Sequence, residues 1–213
     1  MQAIERLPFS NDWMTLVLLL LLVVLFLINV MNAVKFKEII FSVFKVRFIE
    51  SQNDENSSLL SGFQMFFFMF SVIVFSLLFF YIKIIYFGTQ PTDIQEFLKV
   101  CSLLFFYFVL KNIFENMLSF LFLFKRKTAR FLSSKANYFF AISVYSYCLI
   151  LLKQYANLNQ SLLNFSALFL FTVCFIFYIL NNKNLILNHL FYFILYICAF
   201  EIAPLLIVIK LMF

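Results

Sequence analysis

The sequence predicts an all-α fold: a polytopic helical membrane bundle of about six transmembrane helices plus a cytoplasmic interfacial amphipathic helix. Three observations predict it. Of 213 residues, 65% are hydrophobic and only 12% charged, whereas a soluble domain is roughly half apolar and about a quarter charged. The apolar residues fall in long blocks, several of them near the ~20 residues needed to cross a hydrocarbon core of about 30 Å. The blocks do not alternate with polar residues as the strands of a membrane barrel do. An unpaired backbone group in lipid costs several kcal/mol, so each block is expected to be helical.

Composition also excludes function classes. So little charge and so much contiguous apolar sequence exclude a water-soluble enzyme, a disordered chain and a disulfide-stapled secreted domain. The net charge of +6 reads as loop charge facing a cytoplasm and anionic lipid, not as a nucleic-acid surface. Cys101, Cys148, Cys174 and Cys198 each sit inside an apolar block and form no CxxC pair, and His189 is the sole histidine. A multi-histidine metal site is therefore not expected, and no cofactor is indicated.

Taken in order, the expected helices lie near 13–34, 59–87, 97–124, 138–155, 162–180 and 185–213, within a single transmembrane domain, 1–213. Trp13 opens the first, where an interfacial aromatic anchor belongs. Residues 35–50 place Phe36, Ile39, Ile40, Val43 and Phe44 on one face with Lys37, Lys45 and Arg47 elsewhere, the pattern of a helix lying in the membrane interface. Gly88 to Asp93 reads as a turn into the third helix, with Thr92 or Asp93 as cap and Glu96 behind it. The connections after the first, third and fifth helices carry ten bases, including Lys35, Lys37, Lys45, Arg47, Lys125, Arg126, Lys127, Arg130 and Lys135, against five on the opposite side. That excess puts them in the cytoplasm and both termini in the periplasm. Phe66–Phe68 and Phe105–Phe106 read as lipid-facing bulk. With two Gly in the chain and no GxxxG, packing is expected to rest on large side chains, with close backbone contact rare.

Three charges resist this account. Lys111, Asn112, Glu115 and Asn116 form one polar stripe near the middle of the third helix, with i, i+4 spacing. Glu201 lies deep in the last helix, with Tyr192 and Tyr196 on its polar edge. A charge at the bilayer centre costs roughly 2.5–3.5 kcal/mol on insertion scales, so such groups usually face protein or a cavity. Lys111 could serve as counter-ion between Glu115 and Glu201, with tyrosines of the fourth and sixth helices completing a network. The same residues could equally be hydrogen-bonding glue that fixes helix register.

The last segment, with Tyr192, Leu195, Tyr196, Cys198, Glu201, Ile202, Pro204 and Lys210, resembles the C-terminal signature of an uncharacterised integral membrane family of Bacteroidota. That family is catalogued as domain of unknown function 4271, and its pattern is close to Y-x-x-L-Y-x-C-x-x-E-I-x-P. Asp12-Trp13 and Leu110-Lys111 are similar too, while Phe200 stands where leucine is usual. The resemblance implies an inner-membrane protein of a Gram-negative cell and carries no established activity.

The leading functional expectation is a non-enzymatic inner-membrane component: a subunit, assembly or anchoring factor whose partners are the lipid bilayer and another membrane protein. A small proton-coupled transporter using Lys111, Glu115 and Glu201 is the alternative. A lipid-modifying enzyme comes third, because Asp12, Asp54 and Asp93 are far apart and one histidine cannot build a zinc site.

Overall fold

The computed structural model describes residues 12–41, 62–87, 94–121, 125–156 and 159–181, together with Leu206 and Lys210. All of the described elements are helical: α1 Asp12–Met31, α2 Ala33–Phe41, α3 Gly62–Phe87, α4 Ile94–Leu121, α5 Lys125–Ala156 and α6 Gln160–Asn181. Four of them, α1, α3, α4 and α5, are long and apolar enough to cross a membrane. The protein is a membrane-embedded helical bundle. The segment 185–213 expected as a sixth crossing lies outside the described residues, apart from Leu206 and Lys210.

Specific contacts set the vertical register. At one end, the Trp13 end, the Tyr81 hydroxyl lies 3.7 Å from Met14 Sδ and donates to Gln154 Oε1 at 2.9 Å. At the other, Met31 Cε lies 3.6 Å from where a Cβ on Gly62 would sit; this is the Asn32 end. Nineteen residues separate Tyr81 from Gly62 and Gln154 from Lys135, a rise of about 28 Å. Helices α1, α3 and α5 thus share one layer, close to the thickness of a hydrocarbon core.

α3 is the axis of the bundle. Its side chains Phe67, Phe70, Val74 and Phe80 are fully buried. Phe67 stacks on Phe36 of α2 and Phe140 of α5, with ring centroids 5.9 and 5.0 Å away, and meets Phe70 edge-on. Phe67 therefore belongs to the core, whereas the Phe66–Phe68 run reads from sequence as lipid-facing. Phe66 and Phe106 are indeed exposed. Period, not composition, separates them: one helical residue in three or four faces the protein.

Close helix approach is also present where large side chains alone were expected. Ser71, Ser76, Ser143 and Ser146 are completely buried. Ser71 Oγ lies 2.9 Å from Ser143 Oγ, joining α3 to α5. Serine takes the place of glycine or alanine at this crossing, being small enough to let backbones approach and polar enough to bond across the gap.

Two further corrections concern the Asn32 end. Lys125–Lys135, expected as a basic connection before a helix at 138, forms the first turns of α5. α5 has 32 residues and is about 48 Å long, so its first ten residues extend roughly 15 Å beyond the level of Gly62. Helix α2 begins at Ala33, directly after α1. The Asn32 side chain accepts a hydrogen bond from the Lys35 amide at 3.0 Å, an N-cap that restarts the helix. Ile39 is buried and Tyr145 of α5 donates to the Ile40 carbonyl at 3.0 Å. The apolar face of α2 is thereby covered by the bundle itself; residues 42–50 of the expected interfacial helix lie outside the described ones.

Candidate functional site

Two polar systems run through the described bundle, and they differ in kind. The first ties helices together. The Tyr147 hydroxyl donates to the Leu18 carbonyl of α1 at 2.9 Å, and Tyr145 and Tyr81 reach α2 and α5 as above. Ser143 Oγ lies 2.7 Å from the Phe140 carbonyl, and Ser71 Oγ lies 2.8 Å from that of Phe67. A hydroxyl has a single proton, so if Ser143 donates to Phe140, Ser71 can donate either to Phe67 or to Ser143. Ser76 returns its hydroxyl to the Val72 carbonyl at 2.7 Å, the usual way a helix satisfies serine in an apolar setting. Ser146 Oγ and Asn164 Oδ1 are buried without a partner.

Cross-helix bonds of this type contribute about 0.6 kcal/mol each in membranes, up to about 1.7. Their value lies in fixing rotation and register as much as in energy.

At the Trp13 end Glu96 bridges Lys83 at 2.9 Å and Lys99 at 2.7 Å. The bridge joins the last turns of α3 to the first turn of α4, where a carboxylate also complements the helix dipole. Trp13 lies beside Phe80 and Phe97, with centroids 5.7 and 5.2 Å away, so α1, α3 and α4 are locked together at this end. The sequence reading missed this clamp. The i, i+3 spacing of Glu96 and Lys99 was its only local signal, because Lys83 comes from across a turn.

The second system is the stripe on α4. Val100, Leu104 and Tyr107 are buried against α3, with Phe79 and Phe108 beside them. Lys111 follows Tyr107 by one turn, is half-buried, and holds its Nζ 5.9 Å from the Tyr107 ring centroid. A cation over an aromatic face gains about 0.5–2 kcal/mol, more as water is excluded. Asn112, Ile113 and Phe114 are exposed. Counting along α3 and α4 from the Lys83–Glu96 bridge, the level of Gly62 falls near Met117. Lys111 then sits about 9 Å from the level of Gly62 toward the Trp13 end, close to the end of the apolar stretch Ile94–Phe114.

Of the other residues singled out in the sequence, Glu115 and Asn116 lie on α4 with side chains outside the described part. Tyr192, Tyr196 and Glu201 lie outside the described residues. Lys35 and Lys37 are exposed on α2, while Lys45 and Arg47 lie outside. Lys125, Arg126, Lys127 and Arg130 occupy the opening turns of α5. Tyr145 and Tyr147 of α5, among the tyrosines expected to complete a network around Lys111, instead serve the first system. Among the described residues no group of three or more His, Cys, Asp or Glu could hold a metal ion.

Comparison with known sequences bears on the whole chain. It belongs to the family described as domain of unknown function 4271, whose model matches residues 14–212. No curated protein and no solved structure matches it.

Proposed function

We propose that this member of the family is a non-enzymatic subunit, assembly or anchoring component of a complex in a bacterial inner membrane. Bacteroidota is the source that the C-terminal signature suggests. The observation that carries this reading is the filling of the bundle axis. Phe67, Phe70 and Phe80 occupy it completely, and the tyrosine hydroxyls around them donate to backbone carbonyls or an amide of neighbouring helices. Such groups are committed to holding helices in register. A carrier needs broken helices or a polar track that can open in turn to each side, and the described axis offers neither.

The orientation follows from charge. Lys35, Lys37, Lys125, Arg126, Lys127 and Arg130 lie toward the Asn32 end, against Lys83, Lys99 and Lys153 toward the Trp13 end. The positive-inside rule then places the Asn32 end in the cytoplasm and the start of α1 in the periplasm. In this reading α6 and residues 185–213 complete six crossings.

Affinity purification of the tagged full chain from membranes in a mild detergent tests the proposal. A membrane protein recovered in stoichiometric amount, and lost on stringent washing, is the expected result. A clean monomer in repeated preparations across several mild detergents would overturn it.

A further inference from the structure

Helix α2 has two apolar faces, and the bundle covers one of them. Phe36, Ile39 and Ile40 turn toward α3 and α5. Val34 and Phe41, on the opposite side of the helix, are 67% and 55% exposed. Lys37 lies about 60° to one side of Val34, with Glu38 about 40° and Lys35 about 100° to the other. Both lysines are exposed and Glu38 is half-buried.

The depth of α2 gives its second face a chemistry. Tyr145 lies ten residues beyond Lys135, about 15 Å from the level of Gly62 toward the Trp13 end. Its hydroxyl donates to the Ile40 carbonyl at 3.0 Å, and a tyrosine leaned fully toward Asn32 spans only part of that rise. Ile40 therefore lies inside the layer that α1, α3 and α5 share. Phe36, earlier in α2, stacks on Phe67, whose backbone is about 7.5 Å inside the level of Gly62. Helix α2 thus starts at the Asn32 boundary and runs inward, its lysines in the first half and Phe41 at the deep end. Helical side chains lean toward the N-terminus of their own helix. Lys35 and Lys37 accordingly carry their ammonium groups outward while their stems lie along apolar surface.

We propose that this face of α2 seats an anionic phospholipid of the leaflet at the Asn32 end. Lys35 and Lys37 approach the phosphate from either side, and an acyl chain lies along Val34 and Phe41. With Glu38 set against its two lysines, α2 alone has a net charge of +1, so the sign of the head group is decided largely by α5. That helix, on which α2 packs, holds five bases between Lys125 and Lys135 and no acid along its length. The positive potential at this end favours a lipid of net negative charge over a zwitterionic one. An acidic protein could meet the lysines but not the exposed ring of Phe41, which lies beside Ile40 inside the layer. A phospholipid supplies phosphate and hydrocarbon in that order of depth.

The seat does not depend on an external protein partner. Its test uses the full chain, purified in a mild detergent and titrated by native mass spectrometry with phosphatidylglycerol and phosphatidylcholine of the same acyl chains. The phosphatidylglycerol adduct should form at least about fivefold more tightly. Lys35→Gln with Lys37→Gln should bring the two lipids within about twofold of each other, whereas Lys35→Arg with Lys37→Arg keeps the preference. Lys125→Gln with Lys127→Gln, which removes the same charge from α5, should weaken the preference by less than the neutral pair on α2. In lipid nanodiscs, phosphatidylglycerol should slow hydrogen exchange of the Ala33–Phe41 amides relative to phosphatidylcholine. That slowing is expected in the parent and in the charge-keeping pair, and is lost in the neutral pair, which locates the lipid and separates charge from folding. Equal binding of the two lipids by the parent would overturn the proposal, as would a preference that survives the neutral pair on α2 but not the pair on α5. An acidic protein held through Lys35 and Lys37 that phosphatidylglycerol cannot displace would overturn it too.

Discussion

Helices α3 and α4 are neighbours of nearly equal length, 26 and 28 residues, yet they meet opposite environments. In α3, 61% of the most apolar window is buried; in α4 the share is 22%. Hydrophobicity cannot have sorted them, because lipid tails are as apolar as a protein core. What marks the axial helix is small hydroxyl residues set among phenylalanines. Ser71 and Ser76 are fully buried, and each bonds within reach of its own backbone while permitting close approach. What marks the peripheral helix is charge: Glu96 and Lys99 at its start and Lys111 along its length. In water a buried serine and an exposed lysine would be unremarked. In a bilayer the first tells where helices touch, and Lys111, half-buried over the Tyr107 ring, shows a charge kept against protein.

The largest expected effect tests that touching point. Ser71→Leu puts a branched side chain where Ser71 Oγ now lies 2.9 Å from Ser143 Oγ. Overpacking of this kind costs typically 1–3 kcal/mol, occasionally more, and here α3 and α5 must separate to admit it. The expected outcome is a loss near 3 kcal/mol in unfolding measured in mixed detergent micelles. Ser71→Ala, which removes only the cross-helix bond, should lose about 0.6 kcal/mol. Equal effects from the two would show that the serine acts through its hydroxyl and not through its size.

This pair also shows what was legible in the sequence and what was not. Apolar length located α1, α3 and α6 to within a few residues, because a lipid crossing demands length and little else. The basic run at 125–135 misled: charge was read as loop, but α5 simply continues out of the layer, and lysine and arginine are good helix formers. The serines were visible but unassigned. Nothing in a single sequence says which serine faces a helix and which faces lipid, since both can bond their own carbonyls. The Lys83–Glu96 bridge depended on a fold across a turn, so only its Lys99 arm could be read locally. The stripe from Lys111 to Asn116 was legible as an anomaly, and its depth was not, because depth depends on the registration of α4 against α3.

Phe67→Ala gives the second effect. In water, losing a buried phenylalanine costs 3–5 kcal/mol, part transfer and part cavity. Inside a membrane the transfer part largely vanishes, because the unpacked ring would rest in lipid just as comfortably. The cavity part remains: about 24 cal/mol per Å³ over a missing ring of roughly 100 Å³ is about 2 kcal/mol. Phe67 also contributes ring contacts to Phe36, Phe63, Phe70 and Phe140, so α2 should loosen with it. Protection of the Ala33–Phe41 amides from hydrogen exchange is therefore expected to fall together with unfolding stability. A loss of 4 kcal/mol or more would mean that water, not lipid, surrounds the ring when α3 comes away.

The same substitution on α4 closes the comparison from its weak side. Phe106 is 65% exposed, and its ring meets Phe105 edge-on at 6.1 Å within its own helix. Phe106→Ala forfeits no cavity, since lipid fills the space, and no transfer energy, since the ring was in lipid already. The change should stay within about 0.5 kcal/mol, the range of surface substitutions away from packed features. The two alanines thus replace one residue type on adjacent helices of similar apolar length, and the difference between them measures packing alone. Should Phe106→Ala cost as much as Phe67→Ala, the exposed arc of α4 would be a packed surface in the membrane.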